Sequence, residues 1–398
     1  MWHVIRLVMF TTFDRYVLGR MLHTFGVFLV ATYGLYIVID LFTNVDAFQF
    51  EAQRAADESR LAGAAVWSDQ DVLLEMLKNI GLYYGYRLSD FLELAGPLLI
   101  SIAAVAVLGL MEKQSESHPV LAAGISAFRL LKPLLIGAAA LNLLLITNQE
   151  LVMPNIAVQL QTPRGKDHAT KQQVIPVYDY SNHMMHIDGE SVSVADSRLE
   201  GATFYLPPEL ADGVSTLRAE SAVYLQKNAR HPAGWLLTNQ EGVFNAEQLT
   251  KEGRARIIPR PNGKDVFVVS DVNFDQLYDQ GRNPKLLSSV QLVKRIRNPA
   301  TGPVTVRHQS LALHSRVTRP LLSLLTVAIA LPLVMRRESQ GLIVNLAICG
   351  LVLAVAFGIT HGSLLMGSAG LVRPDLAAWF PVVITGTTSV WTAGYVQT

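Results

Sequence analysis

Charge is what this chain has least of. Only 16% of its 398 residues are Asp, Glu, Lys or Arg, against roughly 25% in an ordinary soluble domain. The charges also nearly cancel, leaving a formal net charge of +1. Neutralising a phosphate backbone needs a basic face, so nucleic acid is not expected as a partner. Cysteine is almost missing. Cys349 stands alone, which rules out a disulfide framework and any cysteine-based metal cluster. It sits in an apolar run, where a free thiol serves as a small hydrophobe. Catalytic signatures are missing too: there is no G-x-x-x-x-G-K-[ST] loop, no G-x-S-x-G elbow and no H-E-x-x-H. The chain therefore does not hydrolyse ATP through a P-loop of its own and offers neither of the other two sites. The nearest approach to a metal cluster is "HMMHID", with His183, His186 and Asp188. Histidines three apart on a strand point to opposite faces, so joint ligation would need a turn. No catalytic, cofactor or metal site is assigned, and the chain is not expected to be an enzyme.

What remains is a set of long charge-free runs. No Asp, Glu, Lys or Arg occurs at 21–39, 94–111, 133–149, 320–335, 339–372 or 376–398. A helix rises about 1.5 Å per residue and the hydrocarbon core is about 30 Å thick, so roughly 20 apolar residues span it. "THGSLLMGSAG" breaks the longest run, and six transmembrane helices are expected, near 20–41, 92–112, 129–149, 315–335, 341–361 and 378–396. The first is too long for a signal-peptide core and is followed by no A-x-A site, so it is expected to stay as an anchor. Short segments on the side of the termini carry Arg6, Arg15, Arg20, Lys113, Arg129, Lys132, Arg336 and Arg337. The opposite short segments carry Arg54, Arg60, Lys78, Arg87 and Arg373. That bias favours cytoplasmic termini by the positive-inside rule, against which Arg316 and Arg319 stand at the outer end of span four.

Three regions follow. Residues 1–149 hold spans one to three, with an external loop at 43–90 whose second half, "DVLLEMLKNIGLYYGY", has helical spacing. Residues 150–310 change character: "VIPVYDYSNHMMHIDGESVSVADSRLEGATFYL" and later runs alternate β-branched or aromatic residues with polar ones. Short strands with frequent turn signals predict a sandwich or jelly-roll-like sheet, followed by an amphipathic helix at 288–297. Residues 311–398 hold spans four to six. Asp40 and Asn44, at the outer end of span one, are polar groups at a membrane edge, where a substrate path or simple snorkelling would each account for them.

One short stretch carries unusual local instruction: "SESHPVLAAGIS", residues 115–126. Pro119 is tolerated only in the first turn of a helix, so a short helix should begin near His118. Gly124 suits the left-handed position that ends it, and Ser126 can cap span three.

Taken in order, several segments resemble the LptF/LptG (YjgP/YjgQ) family of permeases, membrane subunits of the ABC exporter that extracts lipopolysaccharide. They are "FDRYVLGRMLHTFGVFLV", "LAGPLLISIAAVAVLG", "ESHPVLAAGISAFRLLKPLL", "NPKLLSSVQLVKRIRN" with "LALHSRVTRPLLSLLTVAIALPLVMRR", and "LAAWFPVVI". The resemblance implies a multi-pass protein of the bacterial inner membrane with a periplasmic β jelly roll. It implies pairing with a second such permease around a lipid cavity, delivery of a glycolipid to a periplasmic bridge protein, and an ABC ATPase dimer that alone binds ATP. The stretch at 115–126 would then be the element that docks in the ATPase, with Val120, Leu121 and Ala123 as its apolar face, Glu116 as a polar contact, and Gly124 and Ser126 shaping it. The family often has basic residues in the outer half of span one, yet "YGLYIVIDLFTNVD" has none. Arg316, at the family's His-x-Arg position, and Arg319 are therefore candidate lipid contacts beside Asp40 and Asn44. The competing expectation is a membrane-anchored scaffold whose β domain docks partners without transport.

Overall fold

The computed structural model describes residues 11–61, 63, 67–124, 126–161, 172–193, 196–212, 215–228, 231–241, 248–261, 264–278, 283–297, 303–335 and 342–394. Two compact units divide the chain. One comprises Met1–Val45, Tyr84–Val152 and Ser310–Thr398, and the other Asp46–Tyr83 and Met153–Gln309.

The first unit is helical. Helix α1 covers Thr12–Leu61, α2 Asp69–Lys113, α3 Ser117–Ala122 and α4 Ala127–Thr147. Later in the chain come α8 (Pro303–Met335), α9 (Leu342–Ser368) and α10 (Pro374–Gly394). Among the described residues, five helices are long and apolar enough to cross a membrane: α1, α2, α4 with its extension to Asn155, α8 and α9. Helix α10 has 21 residues but is not one of the five. Its second half carries Thr385, Thr387, Thr388, Ser389 and Thr392, and the four threonine hydroxyls bond back to carbonyls three or four residues earlier, which hides the polarity that lowers its hydropathy. The core of this unit joins Val17, Met21 and Phe25 of α1 to Ile100, Val107 and Met111 of α2, Leu134 of α4, and Val327 and Leu331 of α8.

Two expectations about this part are corrected. The first half of 43–90, read as having no clean period, is helical as far as Leu61. Helix α1 runs on to Leu61 through a kink at Asn44, and α2 begins at Asp69 and continues without a break into its apolar half. Ala, Glu, Gln and Arg are good helix formers, Arg54–Glu58 and Lys78–Glu75 add pairs at helical spacing, and Phe48, fully buried, stacks edge-on against Tyr83. Similarly, "THGSLLMGSAG" does not stop the fifth span near 361. Helix α9 reaches Ser368, where bonds from Gly370 N–H to Gly367 and from Leu371 N–H to Met366 close it in the six-to-one pattern of a glycine-ended helix.

The second unit is built on an antiparallel sheet. Its strands are β1 (Gln172–Gln173), β2 (Val177–Asp179), β3 (Met185–Asp188), β4 (Ser191–Ser193), β5 (Arg198–Leu206), β6 (Ser215–Leu225), β7 (Gly234–Glu241), β8 (Ile257–Pro259) and β9 (Val266–Val269). Their order is β1-β4-β5-β6-β7-β9-β8, with β3 beside β5 and β2 beside β3. Helix α5 covers Ala157–Gln161, α6 (Lys251–Arg256) lies between β7 and β8, and the expected amphipathic helix appears as α7 (Ser289–Arg297). The strand alternation is not uniform. In β5, Leu199 is buried and then Ala202, Phe204 and Leu206, a change of parity at Gly201, whose φ is +58. Paired β6 changes in step, from Leu217 and Ala219 to Ala222, while the register stays unbroken. The sheet thus turns opposite faces inward along its length, which only a residue without Cβ does cheaply.

Two phenols in this unit are held protonated. Burial first, then Asp271 and Asp179, push Tyr224 up to about 12, and burial with Asp275 raises Tyr278 against the opposing pull of Arg295. Unfolded tyrosines ionise near pH 10. The stability these groups contribute is therefore complete below about pH 10 and is lost as the pH rises through the folded values. Alkaline titration of the full chain, followed by tyrosinate absorbance, should show late-ionising phenols, with one fewer in Tyr224→Phe. Ionisation of every tyrosine by about pH 10.5 would contradict this.

Candidate functional site

Three helices bring charge together at one end of the spans. On α2, Glu93 stands immediately before the run 94–111. Helix α4 ends in a π turn, Asn148–Val152, and this wider turn, a feature often found at functional sites, carries Gln149 and Glu150. Helix α8 supplies Arg316 and Arg319, one turn apart. Arg316 Nη1 donates to Glu150 Oε1 at 3.0 Å, Arg319 pairs with Glu93, and Gln149 Nε2 donates to Glu93 Oε1 at 3.0 Å. The Arg316 side chain is only 5% exposed and that of Glu93 9%, whereas Arg319 is 34% exposed. Glu93, Gln149, Arg316 and Arg319 line a small open pocket together with Pro97 and Pro320. Two cations and two anions balance there, as a buried charge set must if it is not to carry a large desolvation penalty. The sequence singled out both arginines. It missed Glu93, Gln149 and Glu150, although the two glutamates bound charge-free runs at the same end of the spans as Arg319.

Asp40 and Asn44 face another neighbour. Tyr84 Oη donates to Asp40 Oδ2 at 2.8 Å, and Asn44 Nδ2 donates to the Asp40 carbonyl at 2.8 Å. Tyr33, Tyr36 and Phe91 stack nearby, and Tyr33 donates to the Tyr84 carbonyl. Asn44 has φ −129 and ψ 18, so its side-chain bond to Asp40 spans the kink.

At the opposite end of the same spans lies 115–126. Helix α2 stops in a six-to-one turn, with Glu116 N–H on the Met111 carbonyl, Ser115 N–H on Glu112, and Ser115 at φ +57. Helix α3 follows and ends at Gly124, φ +73. Ser126 is the N-cap residue of α4, but its hydroxyl makes no capping bond. Ala123, Gly124 and Ser126 are exposed, and the side chain of Leu121 lies outside the described residues. Val120 does not point outward as expected, because it packs on the core of the spans. The Glu116 carboxylate, expected to meet a partner, is bonded within the chain instead: it accepts from Arg20 at 3.0 Å and from Tyr16 at 3.1 Å.

The two histidines of "HMMHID" separate. His183, in a turn at φ +52, pairs with Glu252 at 3.0 Å, and His186 stacks between Tyr178 and Tyr205. Among the described residues, no three His, Cys, Asp or Glu side chains gather as metal ligands would.

Five long apolar helices and an inserted antiparallel sheet are the features of a multi-pass membrane protein. A family model described as lipopolysaccharide export system permease LptF/LptG matches residues 76–395, and the chain belongs to that family. Membership implies a role as a permease in lipopolysaccharide export, a transport role and not an enzymatic one. No curated protein matches the chain.

Proposed function

We propose that this chain is the permease subunit of an ABC exporter that takes lipopolysaccharide or a related glycolipid from the inner membrane. A separate ATPase dimer drives it, and a periplasmic bridge receives the lipid. Besides the family, the strongest support is the uneven burial of the spans. Of the apolar stretch, only 6% is buried in α1 and 11% in α9, against 50–61% in α2, α4 and α8. A second permease and the lipid are the partners that would cover those two helices. Helix α10 serves as the sixth span, both termini are cytoplasmic, and the curved sheet is the periplasmic jelly roll, which would join a bridge by strand addition. Of the eight basic residues behind this orientation, Arg6, Arg336 and Arg337 lie outside the described residues. Arg316 and Arg319, with Asp40 and Asn44 on α1, form the lipid-contacting side. Helix α3 is the element that enters the ATPase, through its exposed end at Ala123, Gly124 and Ser126.

The test is co-purification of an ABC ATPase with the wild-type chain, followed by Gly124→Val in proteoliposomes. A Cβ at Gly124 meets no heavy atom within 4 Å, so the cost is backbone strain alone, about 1–3 kcal/mol. That is too little to unfold the spans and enough to misorient α3. Insertion and pairing should persist while lipid release per ATP falls, and Gly124→Asn, which tolerates the left-handed region, should stay coupled. Full coupling in Gly124→Val would reduce the stretch to a connector.

A further inference from the structure

Four side chains meet where α1 begins and α2 ends. Arg20 Nη1 donates to Glu116 Oε2 at 3.0 Å and to Tyr16 Oη at 2.9 Å, and Nη2 donates to Gln114 Oε1 at 2.5 Å. Tyr16 Oη donates to Glu116 Oε1 at 3.1 Å, and the Arg20 guanidinium lies 5.8 Å from the centre of the Tyr16 ring. Tyr16 and Arg20 are one helical turn apart, so both reach the same carboxylate from one face of α1. An exposed ion pair contributes little. Here the Arg20 and Glu116 side chains are 17% and 32% exposed, and the planar guanidinium serves three acceptors at once, the geometry that favours Arg over Lys.

We propose that this cluster is a latch. Tyr16 and Arg20 clamp Glu116 and make the 114–116 turn a rigid link that passes displacement of α3 into span one. The proposal rests on the reading of α3 as the element that meets the ATPase.

Two further observations give the link its direction. Near its start, helix α1 is packed on the core of the spans, and its middle is more open. Val17, Met21 and Phe25 are 0–5% exposed, whereas Val30, Leu35, Val38, Ile39 and Phe42 are 59–88% exposed. A continuous helix carries a turn of its packed start along its length to Asp40, which meets α2 again through Tyr84 Oη. The turn that presents Glu116 is itself specified. Ser115 holds a left-handed φ of +57, and two backbone bonds close the end of α2 around it. A non-glycine residue stays in that region only where its surroundings hold it there. Tyr16, Arg20 and Gln114 are thus positioning residues for coupling, and the role of Glu116 is to join α3 to α1.

Paired spin labels at Gly19 and Ala122, both exposed, report the latch in the full-length, detergent-solubilised chain with Cys349→Ala as background. The expected wild-type distance distribution is narrow. Arg20→Ala, Arg20→Glu and Glu116→Arg should each broaden it, with about a ten-fold loss of the latched population, as befits removal of charge-assisted bonds. The reversed pair Arg20→Glu with Glu116→Arg should narrow it again and restore ATP-driven release of lipopolysaccharide from proteoliposomes. An unchanged distribution in Arg20→Ala overturns the latch. So does a reversed pair that restores the distance but not release, because Glu116 would then act on the partner. If no ATPase accompanies the wild-type chain, the docking role of α3 falls, and the distance measurement still decides whether the latch exists.

Discussion

Glu150→Gln should destabilise the helical unit by about 1–3 kcal/mol, because a charge-assisted bond is lost to an arginine that is almost fully buried. Its partner Arg316 is 5% exposed in its side chain, so water makes up little of the lost carboxylate. Removing both charges is a different experiment. In Glu150→Met with Arg316→Met, apolar side chains of similar length replace the pair, and much of the stability should return. Denaturant titration of the purified chain measures both variants. Equal losses in the single and double variants would show that the pair is not the energetic unit. The double variant also separates structure from function. If Arg316 meets lipid phosphate as proposed, the repacked chain should fold, associate with its ATPase and fail to extract lipid. Normal extraction would remove Arg316 from the lipid path and leave the charge set as a staple among α2, α4 and α8.

Trp235→Ala should have the largest effect on the sheet. Trp235 is fully buried near the start of β7, meets Phe204 and Tyr224 edge-on, and donates its Nε1–H to the Val272 carbonyl at 2.9 Å. Truncating an aromatic residue in such a place costs about 3–5 kcal/mol, and the abandoned carbonyl adds to the loss. Hydrogen exchange of the full chain should speed up across β5–β9 while the spans keep their protection. Trp235→Phe retains the ring and loses the bond, so its effect should be smaller, about 1–3 kcal/mol. Exchange that rises equally in spans and sheet would mean that the two units do not unfold separately.

Much of the architecture was legible because the information was local. Charge-free runs of membrane length located five long apolar helices, and the switch to alternating patterns located the sheet. The segment "HPVLAAG" foretold a short helix ending at a left-handed glycine, because Pro and Gly restrict backbone dihedrals within one or two residues. Where local cues were weak, the expectation failed. "FEAQRAADESRL" has no clean period, yet it is helical, because its composition favours helix and Phe48 finds Tyr83 across the hairpin.

The candidate sites divide along the same line. Residue types at span ends pointed to Arg316, Arg319, Asp40 and Asn44, and the punctuation of 115–126 pointed to Gly124. Which partner each would find was beyond any local pattern. Glu116 is 96 residues from Arg20, Arg316 is 166 from Glu150, and Arg319 is 226 from Glu93. The inward turn of Val120, the π turn that carries Gln149 and Glu150, and the change of buried face at Gly201 belong to the same class. The sequence by itself determined the five long apolar helices and the strand-rich region, since hydropathy and dihedral preference act within a few residues. Only the tertiary structure decided which charges neutralise one another, because that depends on how whole helices pack and on the cost of leaving any buried charge alone.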